Sequence, residues 1–420
     1  MEFIFWFFLT AIIYCYFGYP ALLWLTAKIL KRPVKKAACE PFVSIVVSVW
    51  NEADVIERKL RNLTALDYPQ DKIEILIGSD GSTDKTNKLI QIFIGNPQLF
   101  LDFSPTPQKT QDTRHKTQVT SQKSQDTSQE PRPVIHFFPF PQRRGKMAVL
   151  NDLVGQAKGE IIFFTDARQN IASDALRQLT ANFSDPSVGC VSGELMLSKK
   201  EGGTAKGINL YWNYEKFIRR LESDIHSMLG ATGAIYAIRR DLFTPIPDGV
   251  VLDDMFVPLN IVQKRCRAIF DPEALAYDDV AVSAAEESRR KTRTLFGNFQ
   301  IFKLFARLFN PLSSPVAIQF FSHKFLRITA PFFLIFIFLI NILLINDIFF
   351  VMMFVLQISF YAMAGAGAFL RSPQTKTEQI ISKICYGPYV FCLLNFSALL
   401  GFLRFFSNEQ DVKWEKARQA

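Results

Sequence analysis

Acidic side chains follow three apolar runs of this 420-residue sequence. Glu52, Asp80 and Asp166 each come at or just beyond the end of a run whose composition predicts a buried strand. In open α/β sheets, ligands bind beyond the carboxyl ends of the strands. Three acids at such an edge indicate a ligand-binding site, although one acid in a turn can equally be a helix cap. Asp84, which stands before a helical pattern, is expected to be such a cap.

Alternating strands and amphipathic helices would position these acids. Strands are predicted at residues 41–50, 73–79, 134–140 and 160–167, and helices at residues 53–66, 82–94 and 145–157. This order predicts an α/β fold with a Rossmann-like, mostly parallel sheet. Residues 104–133 interrupt the pattern, because they are rich in Gln, Thr, Ser and Lys and poor in large apolar side chains. We expect a disordered insertion there.

Both ends of the chain are strongly apolar, and the 41 Phe residues are concentrated there. The uncharged stretch from Phe3 to Ala27 is long enough to cross a bilayer and lacks the features of a cleaved signal peptide, which predicts a retained membrane helix within residues 1–30. Three further spans are predicted at residues 328–346, 348–370 and 384–406. The apolar, cation-dotted residues 299–327 predict interfacial helices, and residues 407–420 form a polar tail.

The basic residues predict the orientation of the chain and its surroundings. The segment KILKRPVKK directly follows the first span, and a second basic segment separates the third span from the fourth. The positive-inside rule then predicts a multi-pass protein of the plasma (inner) membrane with a cytoplasmic central domain. The net charge of +9 suits an anionic lipid surface or phosphate groups. We expect no nucleic-acid partner, because basic and aromatic residues are not interleaved in clusters.

The central segment resembles the family 2 glycosyltransferases, which are inverting enzymes with the GT-A fold. The resemblance rests on motifs that occur in the family's order: VSVWNEADVIERKL, IGSDGSTDKT, RRGKMAVLN and IIFFTDA, followed by GATGAIYAIRRDLF and VVLDDMFVPL. It covers about residues 42–293 and implies a catalytic domain over residues 34–298. Members of the family that are integral to membranes have the same layout, with flanking spans and a cytoplasmic catalytic domain.

The resemblance implies a role for each acid at the sheet edge. Glu52 and Asp80 would bind the base and ribose of a nucleoside-diphosphate sugar, and Lys146 would place a cation near this donor. Asp166 would hold a divalent ion, Mg²⁺ or Mn²⁺, that bridges the two phosphates. The sequence departs from the family pattern at Arg168, where a second acid often stands. Arg168 could itself neutralise the phosphates in place of the metal.

The resemblance also implies a catalytic pair. Asp253 and Asp254 match an acidic pair of the family, in which Asp254 would be the base that removes a proton from the acceptor hydroxyl. The alternative is that both acids lie at the positive end of a helix as caps. Arg290 and Arg293 could contact the donor diphosphate, or they could attract anionic lipid at the membrane surface. This region lacks the Trp that processive members of the family carry.

These observations predict a membrane-embedded, inverting glycosyltransferase. It would move a sugar from a nucleoside-diphosphate sugar to a lipid-linked or membrane-associated glycan. One alternative is a processive polysaccharide synthase, which the absence of the family's Trp disfavours. Another is an inactive scaffold that binds nucleotide sugars and organises a glycan assembly complex, which the replacement of an acid by Arg168 would favour.

Overall fold

A computed structural model describes residues 1–96, 132–197, 203–278, 284–370 and 375–407. The side chains of residues 203–211, 284–291 and 376 are not part of this description. Nearly all of the insertion predicted at residues 104–133 lies outside the described residues, as does all but the first residue of the tail predicted at 407–420.

The described chain alternates strands and helices as predicted and then continues into long helices. The strands are β1 (Val43–Val49), β2 (Ile73–Asp80), β3 (Val134–Phe140), β4 (Ile161–Phe164), β5 (Asn170–Ile171), β6 (Val188–Leu197), β7 (Tyr236–Arg239) and β8 (Arg267–Asp278). The helices are α1 (Glu2–Ile13), α2 (Tyr19–Ile29), α3 (Ile56–Thr64), α4 (Thr86–Gly95), α5 (Lys146–Gln156), α6 (Ala175–Ala181), α7 (Gly203–Ile225), α8 (Asp253–Gln263), α9 (Ala284–Leu304), α10 (Ala317–Gln319), α11 (Leu326–Leu343), α12 (Ile348–Phe369) and α13 (Lys376–Ser407).

The described strands form one eight-stranded mixed sheet in the order β3-β2-β1-β4-β7-β6-β8-β5. The strands from β3 to β4 are all parallel, which is the Rossmann-like half that the sequence predicts. Beyond β4 the direction changes, since β7 pairs antiparallel with both β4 and β6. β8 then pairs parallel with β6 and antiparallel with β5. The carboxyl ends of β1, β2 and β4 therefore lie at one edge of the sheet.

Helices cover both faces of this sheet, and the pleat of β1 shows why. Ile45 and Val47 face one apolar layer, whereas Val46, between them, faces the other, because successive side chains on a strand point to opposite faces. The first layer includes residues of α3, α4 and α6, and the second includes residues of α5 and α8. A parallel strand that is buried on both faces is apolar along most of its length, as β1 is at five of its seven residues.

Within the described residues, four helical segments are long and apolar enough to cross a membrane: Glu2–Ile29, Ala317–Leu343, Ile348–Phe369 and Thr377–Ser407. The first joins α1 and α2 through a short π-helical turn at Tyr14–Gly18. The second begins at Ala317, inside the segment that the sequence predicts as interfacial. Their lengths and compositions indicate association with a membrane.

Candidate active site

The loops that follow β1 and β2 are joined to each other. The side-chain oxygen of Asn51, whose φ is +52°, accepts a hydrogen bond from the Thr83 amide at 2.8 Å. Asp84 accepts from the Ala53 amide at 3.1 Å and from the Thr86 amide at 2.9 Å. Asp84 therefore holds the start of α4, as the sequence predicts. These bonds join the two loops, residues 50–55 and 80–85, into one structure at the edge of the sheet, which we call the rim.

Glu52 and Asp80 are buried within this rim. Asp80 is 4% exposed, and its two carboxylate oxygens accept hydrogen bonds from the amides of Arg144 and Gly145 at 2.7 and 2.8 Å. Glu52 is 1% exposed, and its amide donates to Oγ1 of Thr86 at 2.9 Å. In this geometry Asp80 braces the loop that leads into α5. Direct binding of a nucleotide by either acid stays a prediction.

A glycine lets the loops of β2 and α5 approach closely. Gly81 has a φ of +64°, and a Cβ atom added there would lie 2.8 Å from the amide nitrogen of Arg143. Residues with a side chain rarely adopt that backbone conformation, and the contact leaves no room for one. Gly81 thereby allows Asp80 to reach the loop before Lys146.

Lys146 is the centre of the charged cluster. It is the first residue of α5, and its Nζ lies 3.0 Å from Oδ1 of Asp166 after β4 and 3.3 Å from Oδ1 of Asp253 at the start of α8. Burial by itself would lower the pKa of Lys146, but the charges of Asp166 and Asp253 outweigh burial and raise this pKa above its ordinary value. The ammonium group therefore stays charged and joins three separate elements.

The two acids of the Asp253–Asp254 pair have different environments. Asp253 is 5% exposed and accepts a hydrogen bond from the hydroxyl of Tyr236 at 3.2 Å in addition to its ion pair with Lys146. Asp254 is half-buried, and its carboxylate lies beside Gly233. Burial raises the pKa of Asp254 to about 6, the Asp253 charge adds to the rise, and the Lys146 charge opposes it. A carboxylate with such a pKa can accept a proton near neutral pH.

Sequence reasoning missed Lys59, which lies beneath the turn that carries Asp166. The Nζ of Lys59 donates to Oγ1 of Thr165 and to the backbone oxygen of Gln169, both at 2.8 Å. Burial lowers the pKa of Lys59 to about 7, and the charge of Asp166 counters part of the fall. The sequence carried one indication that Lys59 is buried. Lys59 follows Ile56 by three residues, which places it on the apolar face of α3.

The predicted arginines lie on the turn after β4 and on α9. Arg293 is half-buried on α9. Arg290 lies on the same helix, but its side chain is outside the described part of the structure. The backbone oxygen of Arg168 accepts a hydrogen bond from Arg58 at 2.9 Å, which fixes the turn after β4. Contact of these arginines with a diphosphate stays a prediction.

The acids of the centre have the oxygen donors that Mg²⁺ and Mn²⁺ prefer. The described residues contain no group of three or more His, Cys, Asp or Glu side chains that could hold a metal ion by themselves. The Asp166 side chain is 34% exposed, and only its Oδ1 is engaged by Lys146 among the described contacts. A divalent ion would fit at Asp166 if a ligand such as a diphosphate supplied the other oxygen atoms.

Residues 44–104 and 115–245 match the model of glycosyl transferase family 2. The matched part includes the rim and the turn of Asp166. The Asp253–Asp254 pair lies just beyond it.

Two other proteins are similar in sequence to part of this chain. Over 168 residues, the chain is 30% identical to a beta-monoglucosyldiacylglycerol synthase of Nostoc sp.. These residues make up 40% of this chain and 29% of that protein. Over 160 residues, it is 28% identical to a poly-beta-1,6-N-acetyl-D-glucosamine synthase of Staphylococcus aureus. These residues make up 38% of this chain and 29% of that protein. The chain thus spans less than a third of the length of either relative.

The fold is similar to that of a mannosyltransferase from Pyrobaculum calidifontis, solved in complex with GDP-Man and Mn²⁺. The match has a TM-score of 0.63 and 20% sequence identity, and it covers 97% of this chain and all of the other. The GT-A fold that the sequence predicts is confirmed. The family match and the relatives support a family 2 glycosyltransferase domain in the central part of the chain.

Proposed function

We propose that this protein transfers a sugar, with inversion, from a nucleoside-diphosphate sugar to an acceptor at the membrane. The observation that carries the proposal is the position of Lys146, which contacts Asp166 and Asp253 directly and lies close enough to Asp254 to act on its pKa. One cation is thereby surrounded by acids from the ends of separate elements. Such an arrangement suits a reaction in which negative charge moves from one group to another.

Asp254 is the general base in this proposal. The acceptor oxygen attacks the anomeric carbon while its proton passes to Asp254. The bond between that carbon and the diphosphate breaks, and its electron pair goes to the leaving phosphate oxygen. Asp254 is half-buried, and its raised pKa of about 6 suits proton transfer near neutral pH. Asp253 does not take this role, because Tyr236 and Lys146 already engage its carboxylate.

Lys146 and Asp166 act on the leaving group. Lys146 would neutralise part of the charge that develops on the diphosphate, because its pKa is raised and it stays protonated. Asp166 would hold Mg²⁺ or Mn²⁺ together with diphosphate oxygens, and the ion would supply further neutralisation of that charge. Asp80 would position Lys146 by fixing the loop that precedes it.

The acceptor is proposed from the architecture and the relatives. The domain is connected to helices that are long and apolar enough to cross a membrane. One similar protein is named as a synthase of a glucosyl lipid and another as a synthase of a polysaccharide. A lipid-linked or membrane-associated glycan at the cytoplasmic face of the plasma membrane accords with both.

Release of nucleoside diphosphate tests the proposal. The purified full chain in lipid vesicles would be given a panel of GDP- and UDP-sugars with Mg²⁺ or Mn²⁺ and crude membrane lipid as the acceptor. We expect release from one donor, transfer of its sugar to lipid, and loss of both with a chelator. Donor binding without release from any donor would contradict catalysis and favour the inactive scaffold.

A further inference from the structure

Helix α7 carries three charged residues on one face. Glu215, Arg219 and Glu222 follow each other at intervals of four and three residues, which places them in a row along one side of the helix. Glu222 is fully buried, and Glu215 is 6% exposed. A buried carboxylate is costly unless a partner within the fold balances its charge. The partners of these two glutamates therefore show what α7 is attached to.

The partners come from the second apolar segment, Ala317–Leu343. His323 lies between the two glutamates, with Nδ1 2.8 Å from an oxygen of Glu222 and Nε2 3.3 Å from an oxygen of Glu215. Arg327 forms an ion pair with Glu215. Burial by itself would raise the pKa of Glu215, but the charges of Arg327 and His323 hold this pKa well below its ordinary value. We call these four residues the α7 junction.

Two π-helical turns lie at the α7 junction. The turn at Phe320–Phe325 belongs to the second apolar segment and contains His323, whereas the turn at Tyr14–Gly18 belongs to the first. Tyr19 directly follows the turn of the first segment, and its hydroxyl donates to Glu222 at 2.7 Å. Short π-helical turns within helices are rare and are frequent at functional sites. Both apolar segments thus meet α7 where their own helices are irregular.

The α7 junction fixes a position more than it adds stability. Removal of charges from water costs free energy, and apolar residues of similar size are often equally stable in place of a buried ion pair. Among the described residues, one carboxylate oxygen of Glu222 has no hydrogen-bond partner. The ring of His323 can contact both glutamates only in one alignment of the helices. The junction therefore sets where α7 lies relative to the second apolar segment.

Arg219, in the middle of the same row, connects α7 to the surroundings of the proposed base. Its guanidinium donates a hydrogen bond to Oγ1 of Thr232 at 3.0 Å. The next residue, Gly233, lies against the base, since a Cβ atom added there would be 3.4 Å from Oδ2 of Asp254. The backbone oxygen of Asp254 also accepts from the amide of Ala231 at 2.7 Å. One short turn is thus bonded to Arg219 and touches Asp254.

Four charged groups from four elements act on Asp254. Burial raises its pKa, and the charge of Asp253 on the same helix adds to the rise. The charges of Lys146 on α5 and Arg219 on α7 oppose the rise. The charge of Asp166, after β4, adds to it. A displacement of α7 would move one of the two cations away, so the position of this helix affects how readily Asp254 takes a proton.

We propose that His323 is a positioning residue for the proposed base, Asp254. It holds the two glutamates of α7, and α7 in turn keeps Arg219 beside the turn that contacts the base. The second apolar segment thereby acts on the reaction without touching the reacting groups. This inference rests on the proposed function, because the role of Asp254 as the base belongs to that proposal.

Kinetics against pH test the inference. The full chain in lipid vesicles would be compared with Arg219→Gln and His323→Ala, using the GDP- or UDP-sugar that the wild type turns over and crude membrane lipid as the acceptor. In both variants the acidic limb of kcat/KM should shift to higher pH by roughly half a unit or more, because a charge that opposes protonation of Asp254 is removed or displaced. The double variant should shift no further than Arg219→Gln, since both changes act through one guanidinium.

Two further variants separate positioning from general stability. Arg220→Gln is the matched control, because Arg220 is the next residue of α7 and is exposed, so its acidic limb should coincide with that of the wild type. His323→Gln keeps one N–H donor towards the glutamates and should shift the limb less than His323→Ala. Thermal unfolding would show that each variant is folded. An acidic limb at the wild-type pH in both His323 variants would show that the junction only stabilises the fold, and would overturn the inference.

Chemical labelling of Asp254 separates this inference from the proposed function. A water-soluble carbodiimide with glycine ethyl ester labels protonated carboxyl groups, and mass spectrometry measures the labelled fraction at each pH without any turnover. Fragment ions distinguish Asp254 from Asp253, and exposed Asp248 normalises each sample. We expect labelling of Asp254 to extend to higher pH in His323→Ala than in the wild type.

If that difference appears while no donor is turned over, the positioning role stands and the proposed function fails. If donor turnover is normal and the labelling profile of Asp254 is the same in His323→Ala and the wild type, the positioning role is wrong and the proposed function stands.

Discussion

The Nζ atom of Lys146 lies 3.3 Å from Oδ1 of Asp253, and this ion pair joins the start of α5 to the start of α8. The two residues are more than one hundred positions apart in the sequence, so the contact exists only in the folded chain. Through it, the cation that faces the proposed leaving group also sets the charge around the proposed base. The first two predictions depend on this relationship.

Replacement of Lys146 by Met should lower turnover by roughly 10²-fold or more, because the charge that stabilises the leaving diphosphate is lost. Loss of the cation also leaves Asp253 and Asp254 less shielded from each other, so the pKa of Asp254 should rise further. Steady-state kinetics of nucleoside-diphosphate release would measure the effect. Lys158→Met is the control, since Lys158 is exposed. Equal rates in the two variants would contradict the role of Lys146.

The rate should depend on pH through Asp254, whose pKa is raised to about 6. The base works only when it is deprotonated, so kcat/KM should rise with pH up to about 6 and fall about tenfold per pH unit below it. Lys146→Met should shift this acidic limb of the pH profile to higher pH. Lys59→Met should leave the acidic limb at the same pH. A rate that stays constant from pH 4 to pH 7 in the wild-type protein would rule out a base with this pKa.

Lys59→Met should loosen the turn that carries Asp166. Lys59 is 1% exposed and bonds to both ends of that turn, at Thr165 and Gln169. We expect kcat to fall roughly tenfold, because a small displacement of a catalytic group has a large effect on rate. Mn²⁺ binding in the presence of nucleoside diphosphate should weaken as well.

The control is Arg61→Met, which removes a cation of the same helix that pairs with Glu57 on the surface. Such surface pairs contribute little to stability, so kinetics and metal binding should be unchanged. Equal losses of kcat and of Mn²⁺ binding in Lys59→Met and Arg61→Met would show that either substitution in α3 disturbs the site. That result would contradict a specific role for Lys59.

Asp80→Asn should destabilise the rim. Both oxygens of Asp80 accept from backbone amides, and the amide group of Asn would set an N–H donor against one of them. An unsatisfied buried donor costs about 1–3 kcal/mol, so thermal unfolding should occur at a lower temperature and donor binding should weaken with it. Weaker donor binding at an unchanged unfolding temperature would indicate instead that Asp80 contacts the nucleotide directly.

The parallel half of the sheet and its helices could be predicted because their patterns are local. Alternating faces in β1 and β2, and the turn at Asp80 and Gly81, are readable within a few residues. The antiparallel part could not be predicted in this way. β7 pairs with β4 and β6 through contacts that are distant in sequence, and its four residues carry too weak a pattern to specify direction.

The site was predictable in its residue types but not in its contacts. Asp166, Asp253 and Lys146 stood out as chemically able residues, yet only the fold shows that one ammonium joins the two acids. Lys59 escaped notice because a lysine is normally exposed, and its burial depends on the turn after β4.

Sugar transfer by the Asp254→Asn variant tests whether Asp254 is the base. The variant would be compared with wild type in lipid vesicles, with donor binding and sugar transfer measured on the same preparation. We predict unchanged donor affinity and a loss of transfer of roughly 10²-fold or more, because the amide cannot take the acceptor proton. Transfer at the wild-type rate would contradict the assignment of Asp254 as the base.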